Sequence, residues 1–142
     1  MKNISVIFWS GSGNTEAMAI KIFEGAKTSN TKVRLLNVEK ANIDDVINSD
    51  IVCLGCPAMG AEELEETIME PFIESISSLL KGKKIALFGS YGWGDGEWMV
   101  NFKDRMEEYG AKLLAKGLII NGEPDESQLE ECIEYGENLA KF

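Results

Sequence analysis

The chain alternates between short apolar runs and longer segments in which apolar residues recur every three or four positions. The apolar runs predict strands at Ser5–Trp9, Val33–Asn37, Ile51–Cys56, Ile85–Ser90 and Leu113–Asn121. The helical spacing predicts helices at Thr15–Lys27, Thr67–Leu80, Gly96–Tyr109 and Glu126–Lys141, with a weaker segment at Ile43–Asn48. The middle strands are apolar along nearly their whole length, which is typical of strands covered on both faces. The alternation predicts an α/β fold, a doubly wound five-stranded parallel sheet with helices on both faces, as one domain over residues 1–142.

Three loops follow the carboxyl ends of predicted strands, where ligands bind in open parallel sheets. They are Ser10–Thr15 after the first strand, Pro57–Glu66 after the third and Tyr91–Glu97 after the fourth. These loops are therefore the candidates for a binding site.

The first loop is built of small and hydroxylic residues and opens a helix. Unpaired backbone N–H groups at a helix N-terminus, the positive end of the helix dipole and side-chain hydroxyls together favour a phosphate. The loop contains no lysine or arginine, so a phosphate held there keeps its negative charge. Glu16 stands where the dinucleotide-binding fingerprint needs its third glycine, and the GK[ST] spacing of a P-loop is absent. Taken alone, an ordinary strand-to-helix turn is the alternative.

The third and second loops carry large side chains that could enclose a flat ligand. Ser90–Trp98 places two tryptophans among three glycines, and glycine allows close approach of the backbone to a ligand. Trp93 lies in the loop and is expected to stack on that ligand, whereas Trp98 belongs to the following helix and is expected in the core. Met59 could supply the opposite wall as a polarizable thioether, although a core position is the alternative for it.

Charge and hydropathy narrow the classes of partner. The chain has 24 acidic and 14 basic residues, a net charge of −10 and no histidine. This balance argues against nucleic acid and anionic membranes and favours a basic protein partner, with solubility as the alternative explanation. The apolar segment at the start of the chain is too short for a signal peptide, and no segment is long enough to cross a membrane. A cytoplasmic location is therefore expected.

The three cysteines are expected to be reduced and buried. Cys53 and Cys56 satisfy a CxxC pattern, but positions i and i+3 of a strand point to opposite faces. Without histidine, and with only Cys132 in addition, no metal site is expected. A thiol redox pair of Cys53 and Cys56 stays open as an alternative.

A phosphate-binding loop, a polarizable wall and an aromatic wall at one sheet edge describe a flavin mononucleotide (FMN) site. Three segments make the resemblance specific: Trp9–Glu16 (WSGSGNTE), Leu54–Gly60 (LGCPAMG) and Leu87–Gly94 (LFGSYGWG). Over essentially its whole length the chain resembles a flavodoxin of the short-chain, clostridial type. The resemblance implies strand order 2-1-3-4-5 and a monomeric electron carrier that is not an enzyme. It also implies non-covalently bound FMN that cycles between semiquinone and hydroquinone at low potential, in place of ferredoxin.

The resemblance also implies roles for individual residues. Amides and hydroxyls of Ser10, Ser12, Asn14 and Thr15 are expected to hold the phosphate, while Trp93 and Met59 stack on the two flavin faces. Glu62 would accept a hydrogen bond from the flavin N3–H, and the Gly60 carbonyl would face N5 once that atom is protonated. Backbone amides of Gly92 and Trp93 would reach the pyrimidine oxygens, with Ser90 nearby. The expected cofactor-binding set is Ser10, Gly11, Ser12, Gly13, Asn14, Thr15, Pro57, Ala58, Met59, Gly60, Ala61, Glu62, Ser90, Tyr91, Gly92, Trp93 and Gly94.

Two positions depart from the family pattern. Pro57 stands where many relatives carry serine, and Ala61 stands where aspartate, serine, asparagine or glycine is common. In the family the Gly60–Ala61 peptide turns over on reduction. If Met59–Glu62 is a turn, Gly60 suits the second position of type II′, and the turned-over type II form places Ala61 at positive φ. Alanine is strained there, which predicts a less stabilised semiquinone.

Charge near the flavin predicts both a low potential and the kind of partner. The phosphate and the glutamates between positions 62 and 70 oppose a second electron on the flavin. The acidic rim of Glu62–Glu70 and Asp95–Glu97 is expected to dock basic partners: ferredoxin-type reductases, hydrogenases or 2-oxoacid oxidoreductases. The remaining alternatives are an FMN-dependent quinone or NAD(P)H oxidoreductase and a cofactor-free interaction module.

Overall fold

The computed structural model describes residues 1–142, which form six strands and five α-helices. The strands are β1 Lys2–Phe8, β2 Thr31–Asn37, β3 Ile51–Gly55, β4 Lys84–Tyr91, β5 Lys112–Leu113 and β6 Leu118–Asn121. The helices are α1 Asn14–Ala26, α2 Ile43–Ile47, α3 Met69–Ile76, α4 Glu97–Glu108 and α5 Glu126–Ala140. Short 3₁₀ helices follow β2 at Val38–Lys40 and α3 at Ser77–Leu79. Each predicted helix and each of the first four predicted strands is confirmed, with ends that differ by at most four residues.

The strands form one parallel sheet in the order β2-β1-β3-β4-β5, which confirms the expected order. In register, Phe8 of β1 lies beside Asn37 of β2 and Gly55 of β3, and Gly55 lies beside Phe88 of β4. The carboxyl ends of the central strands therefore meet at one edge. The loops that follow them are close neighbours for that reason.

The fifth predicted strand is wrong as a continuous element, because two strands occupy that position. Both β5 and β6 pair with β4, in parallel. Between them, the hydroxyl of Tyr135 donates to the carbonyl of Lys116 at 3.0 Å. Gly117 lies so close to Met99 that an added Cβ would be 2.8 Å from the sulfur atom. Helix packing from both sides thus fixes an interruption that hydropathy alone does not reveal.

The core has two layers, one on each face of the sheet. Helices α1 and α5 cover one face through Met18, Ile22, Cys132 and Leu139. Helices α2, α3 and α4 cover the other face with a larger apolar cluster that includes Val46, Met69, Phe72, Ile73, Ile76, Trp98, Met99, Phe102 and Met106. The doubly wound α/β prediction is confirmed.

Close backbone contact sets the spacing of α1 and α5. A Cβ at Gly25 would meet the carbonyl of Ile133, and a Cβ at Gly136 would meet the carbonyl of Ile22. At the end of α4, Gly110 has φ +90° and the next amide, that of Ala111, donates to the carbonyl of Met106 at 3.0 Å, as in a glycine C-cap. None of the helices combines the length and apolar character that crossing a bilayer requires.

Candidate cofactor-binding site

The three candidate loops meet in a cleft of about 310 Å³ beyond the carboxyl ends of β1, β3 and β4. Eleven residues line the cleft, and none of them carries a charge. Nine belong to the set expected from the sequence: Gly11, Ser12, Asn14, Pro57, Ala58, Met59, Ser90, Tyr91 and Gly92. The structure thus brings together loops that are up to about 80 positions apart in the chain.

In the first loop, side-chain hydroxyls both shape the loop and link it to the sheet. The Ser10 hydroxyl oxygen accepts from the backbone N–H groups of Gly13 and Glu16, each at 3.2 Å. The Thr15 hydroxyl is buried and lies 2.9 Å from the hydroxyl of Ser90 on β4. Gly13, at φ +101°, precedes the first turn of α1, where backbone N–H groups have no partner within the helix. Ser12 and Asn14 supply polar side chains at the cleft.

The second loop closes one residue later than the sequence predicts. Met59 and Glu63 exchange two backbone hydrogen bonds, of 2.8 and 2.9 Å, so three residues lie between them. Gly60 has φ +50°, the sign expected for the second position of a type II′ turn, and Ala61 has negative φ. The prediction of a four-residue turn at Met59–Glu62 is wrong, because Met59 pairs with Glu63 and not with Glu62. The extra residue, Glu62, has φ +59° and is the single non-glycine residue with positive φ.

The side chain of Glu62 links the second loop to the third. Its Oε2 accepts a 2.7 Å hydrogen bond from the backbone N–H of Trp98 in the first turn of α4. The residue before α4 is Gly96, which has no side chain to cap the helix, so Glu62 supplies the acceptor from outside it. Its other oxygen lies against Gly94, where an added Cβ would overlap the carboxylate. Gly94 follows Trp93 directly.

The two side chains expected to enclose a flat ligand are both accessible. The Trp93 side chain is 69% exposed, unusually high for an indole, and Met59 is 36% exposed. Trp98 is 1% exposed, and its indole N–H donates to the carbonyl of Cys56 at 3.1 Å. The prediction that Trp98 belongs to the core is confirmed. Of the two tryptophans in the Ser90–Trp98 segment, Trp93 is the one free to stack on a ligand.

An acidic groove of about 440 Å³ adjoins the cleft between the second loop and α4. Four glutamates line it: Glu62, Glu63, Glu66 and Glu70. Its one base, Arg105, forms a two-bond ion pair with Glu70, with 2.6 Å between Nη1 and Oε1. The hydrogen bonds from Arg105 lower the pKa of Glu70. Because Arg105 is neutralised, the groove keeps a negative field.

The three cysteines lie in the core and form no disulfide. Cys53 packs in the α1–α5 layer, whereas Cys56 packs in the α3–α4 layer, as the strand geometry predicts. Burial raises the pKa of Cys53, and it raises the pKa values of Cys56 and Cys132 to about 12. A reactive thiol needs a lowered pKa and access, so the thiol redox alternative is not favoured.

Two residues of the cleft, Trp9 and Gly122, were not expected from the sequence. Gly122 has φ +71° and its N–H donates to the carbonyl of Tyr91 at 2.8 Å. The side chain of Asn121 donates to the carbonyl of Gly92 at 3.1 Å. The sequence does contain an indication of Gly122, because the turn-forming pair Asn121–Gly122 ends a strand at the same edge of the sheet.

The fold is that of an α/β protein whose candidate site for a phosphate-bearing planar cofactor lies at the carboxyl edge of its sheet. A family model described as flavodoxin matches residues 6–136. The flavodoxin of Clostridium beijerinckii is 51% identical over 98% of this chain and 100% of its own length. The flavodoxin of Megasphaera elsdenii is 48% identical over 97% and 98% of the two chains. The two-electron-reduced solution structure of the M. elsdenii protein superposes with a TM-score of 0.87 over 98% and 99% of the chains, at 47% identity.

The chain belongs to the flavodoxin family and is of its short-chain, clostridial type. It is an FMN-binding electron-transfer protein and not an enzyme. The site agrees with that cofactor in its donor chemistry, because hydroxyl and amide groups stand at a helix N-terminus beside Met59. Trp93 does not itself line the cleft; it is exposed and directly follows the cleft residue Gly92. The oxidoreductase alternative is not favoured.

Proposed function

We propose that this chain is a low-potential one-electron carrier that serves basic partner proteins in place of ferredoxin. The observation that carries the proposal is the pairing of a cleft lined by no charged residue with a neighbouring groove lined by four glutamates. No base in either place is free to neutralise a negative charge on a bound cofactor, because Arg105 is engaged by Glu70. We also propose that residues 1–142 act as one domain.

The cofactor contacts follow the three loops. Ser12, Asn14 and the N-terminal amides of α1 would bind the FMN phosphate, with Ser10 and Thr15 holding the loop in shape. Met59 and Trp93 would lie on the two faces of the ring, and FMN supplies the electron-accepting group. The rest of the proposed set borders these contacts: Gly11, Gly13, Pro57, Ala58, Gly60, Ala61, Glu62, Ser90, Tyr91, Gly92 and Gly94.

Electrostatics supports a low potential for the second electron. A phosphate charge about 10–15 Å from the ring, at an effective dielectric constant of about 20, opposes an added negative charge by roughly 1–2 kcal/mol. The glutamates of the groove act in the same direction. Screening by salt reduces the contribution of the exposed ones, Glu63 and Glu66.

Potentiometric titration of the holoprotein tests this proposal. We expect two separated one-electron steps, with the second well below the potential of free FMN. Two midpoints close to those of free FMN would contradict it. The double variant Glu63→Gln/Glu66→Gln is expected to raise the second midpoint. The control, Glu130→Gln/Glu137→Gln on α5, makes the same change in net charge on the opposite face of the sheet. It is expected to leave the second midpoint nearly unchanged.

The proposed partners are basic redox proteins of the ferredoxin-reductase, hydrogenase and 2-oxoacid oxidoreductase types, docked at the acidic rim. Reduction of a basic c-type cytochrome, used as a general acceptor, is expected to slow as salt rises. Glu63→Lys/Glu66→Lys is expected to slow it much more than the charge-matched Glu130→Lys/Glu137→Lys. Equal slowing by both pairs would show that net charge, and not the rim, controls the encounter.

We further propose that the carrier works as a monomer in the cytoplasm. Its exposed apolar side chains, such as Ile20, Ile47 and Val100, lie on different helices. Sedimentation equilibrium across a hundredfold range of concentration is expected to give one species of monomer mass. A concentration-dependent rise in mass would contradict the monomer.

A further inference from the structure

The carboxylate side chain of Glu65 is buried beside the candidate cofactor site. Its side chain is among the buried polar groups at 6% exposure, while Glu63 and Glu66 are exposed. Oε1 accepts from the backbone N–H of Thr67 at 2.8 Å and from the Thr67 hydroxyl. Oε2 accepts from the backbone N–H groups of Ile68 and Met69, at 2.8 and 2.9 Å.

These donors are the backbone groups that open α3. The residue before the helix is Ile68, whose side chain cannot cap it. The first N–H groups of a helix lack partners within the helix, and its dipole favours a negative group there. Glu65 supplies both the acceptors and the charge, and the hydrogen bonds outweigh burial so that its pKa is lowered.

The backbone of Glu65 continues directly into the turn that carries Met59. The N–H of Glu65 donates to the Cys56 sulfur at 3.4 Å, which attaches this point to the end of β3. Two residues earlier, Glu63 exchanges both backbone hydrogen bonds with Met59. Leu64 is the single residue between the two attachments. The Met59–Glu63 pair is therefore held at its carboxyl side by the Glu65 carboxylate.

We propose that Glu65 is a positioning residue that fixes Met59 for cofactor binding, acting through the Met59–Glu63 pair and the first turn of α3. The inference rests on the proposed cofactor site, since Met59 matters only if the ring lies against it. Glu65 itself does not line the cleft. Its contribution is to hold one end of a loop whose other end is fixed to β4, where the N–H groups of Cys56 and Ala58 donate to the carbonyls of Phe88 and Ser90.

The carboxylate is required because three of its four partners are backbone N–H groups, which can only donate, on both of its oxygens. Glutamine has nearly the same shape, but one of its oxygens becomes an NH₂ group that can only donate. Glu65→Gln therefore leaves either the Thr67 amide or the Ile68 and Met69 amides facing a second donor. Glu66→Gln removes the same charge one residue further along, at an exposed side chain with no hydrogen bond in the structure, and is the matched control.

Hydrogen exchange of the apoprotein, with FMN affinity measured separately by quenching of flavin fluorescence, tests the proposal. Glu65→Gln is expected to speed exchange of the Met59 and Glu63 amides about 10- to 100-fold, to leave β1 and β3 protected and to weaken FMN binding about tenfold. Glu66→Gln is expected to leave the exchange of the Met59 and Glu63 amides unchanged. If the wild-type chain did not bind FMN, the proposed function would fail, while exchange would still report on the role of Glu65.

Two outcomes would overturn the inference. If Glu65→Gln and Glu66→Gln changed the exchange of the Met59 and Glu63 amides equally, only the charge of Glu65 would matter and not its hydrogen bonds. Faster exchange at Ile68 and Met69 without any change at Met59 and Glu63 would reduce it to a helix cap. If Glu65→Gln does not fold, Thr67→Val removes one hydroxyl donor alone, and it is expected to shift the same two amides in the same direction by a smaller factor.

Discussion

The carboxylate of Glu62 accepts a 2.7 Å hydrogen bond from the backbone N–H of Trp98, 36 residues further along the chain. This bond joins the loop that carries Met59 to the start of α4, and the same carboxylate lies against Gly94, next to Trp93. One side chain thus links the two loops expected to enclose the flavin. Its position makes Glu62 both a helix cap and a negative charge between the two loops of the proposed cofactor site.

Substitutions at Glu62 should separate these two roles. Glu62→Ala removes the acceptor and is expected to lower the free energy of unfolding of the apoprotein by about 0.5–2 kcal/mol, the usual cost of a lost N-terminal cap. Glu62→Gln keeps an oxygen that can accept from Trp98, so it is expected to lose less stability. Urea denaturation measures both. Equal losses for the two variants would show that charge, and not the hydrogen bond, provides the stabilisation.

Ala61→Gly is expected to raise the potential of the first electron. Gly60 has the positive φ in this structure and Ala61 does not, and the turnover of their shared peptide in the family would move that strain to Ala61. Positive φ costs alanine roughly 1–2 kcal/mol, or about 45–90 mV for one electron. Potentiometry checks the shift, with Ala115→Gly, between β5 and β6, as control. An unchanged or lowered first midpoint would reject the explanation.

Trp93→Ala is expected to weaken FMN binding without weakening the fold. The indole is 69% exposed, so the free energy of unfolding of the apoprotein is expected to change by less than about 0.5 kcal/mol. Loss of aromatic stacking is expected to cost about 0.5–1.5 kcal/mol of FMN affinity beyond the area lost. Val100→Ala, at another exposed apolar side chain on α4, serves as the control and should alter neither quantity. A destabilised apoprotein would indicate that Trp93 packs on the protein instead.

The buried thiols are expected to resist modification and to make the fold sensitive to alkali. Burial raises the pKa of Cys56 and of Cys132 from 9.0 to about 12. Between these values the unfolded chain releases thiol protons that the folded chain keeps. Stability is therefore complete below about pH 9 and declines as the pH rises toward 12.

A thiol reagent at pH 8, applied with and without denaturant, measures the first part of this prediction. We expect slow labelling of the folded protein and release of all three thiols on unfolding. Urea midpoints between pH 7 and pH 10.5 measure the second part, and Cys53→Ala is expected to flatten their decline. Rapid labelling of the folded protein would revive a redox role for Cys53 and Cys56.

Local pattern accounts for most of the fold and for most of the cleft. The apolar runs and the helical spacing predict the elements, and a parallel sheet places the loops after β1, β3 and β4 at one edge. Nine of the eleven cleft residues follow from that rule together with loop composition. Gly122 does not follow from that rule, because its position depends on the interruption of the last strand between Leu113 and Leu118.

By itself, the sequence determined the α/β class, the opposite burial of Cys53 and Cys56 and the identity of the three loops, since each depends on periodicity and on residues that are neighbours in the chain. Tertiary structure alone decided the closure of the Met59 turn at Glu63, the capping of α4 by Glu62 and the burial of Glu65 among the amides of α3. From the sequence alone, a run of glutamates indicates a solvated surface. Which carboxylate turns inward depends on where unpaired backbone donors come to lie once the helices have packed.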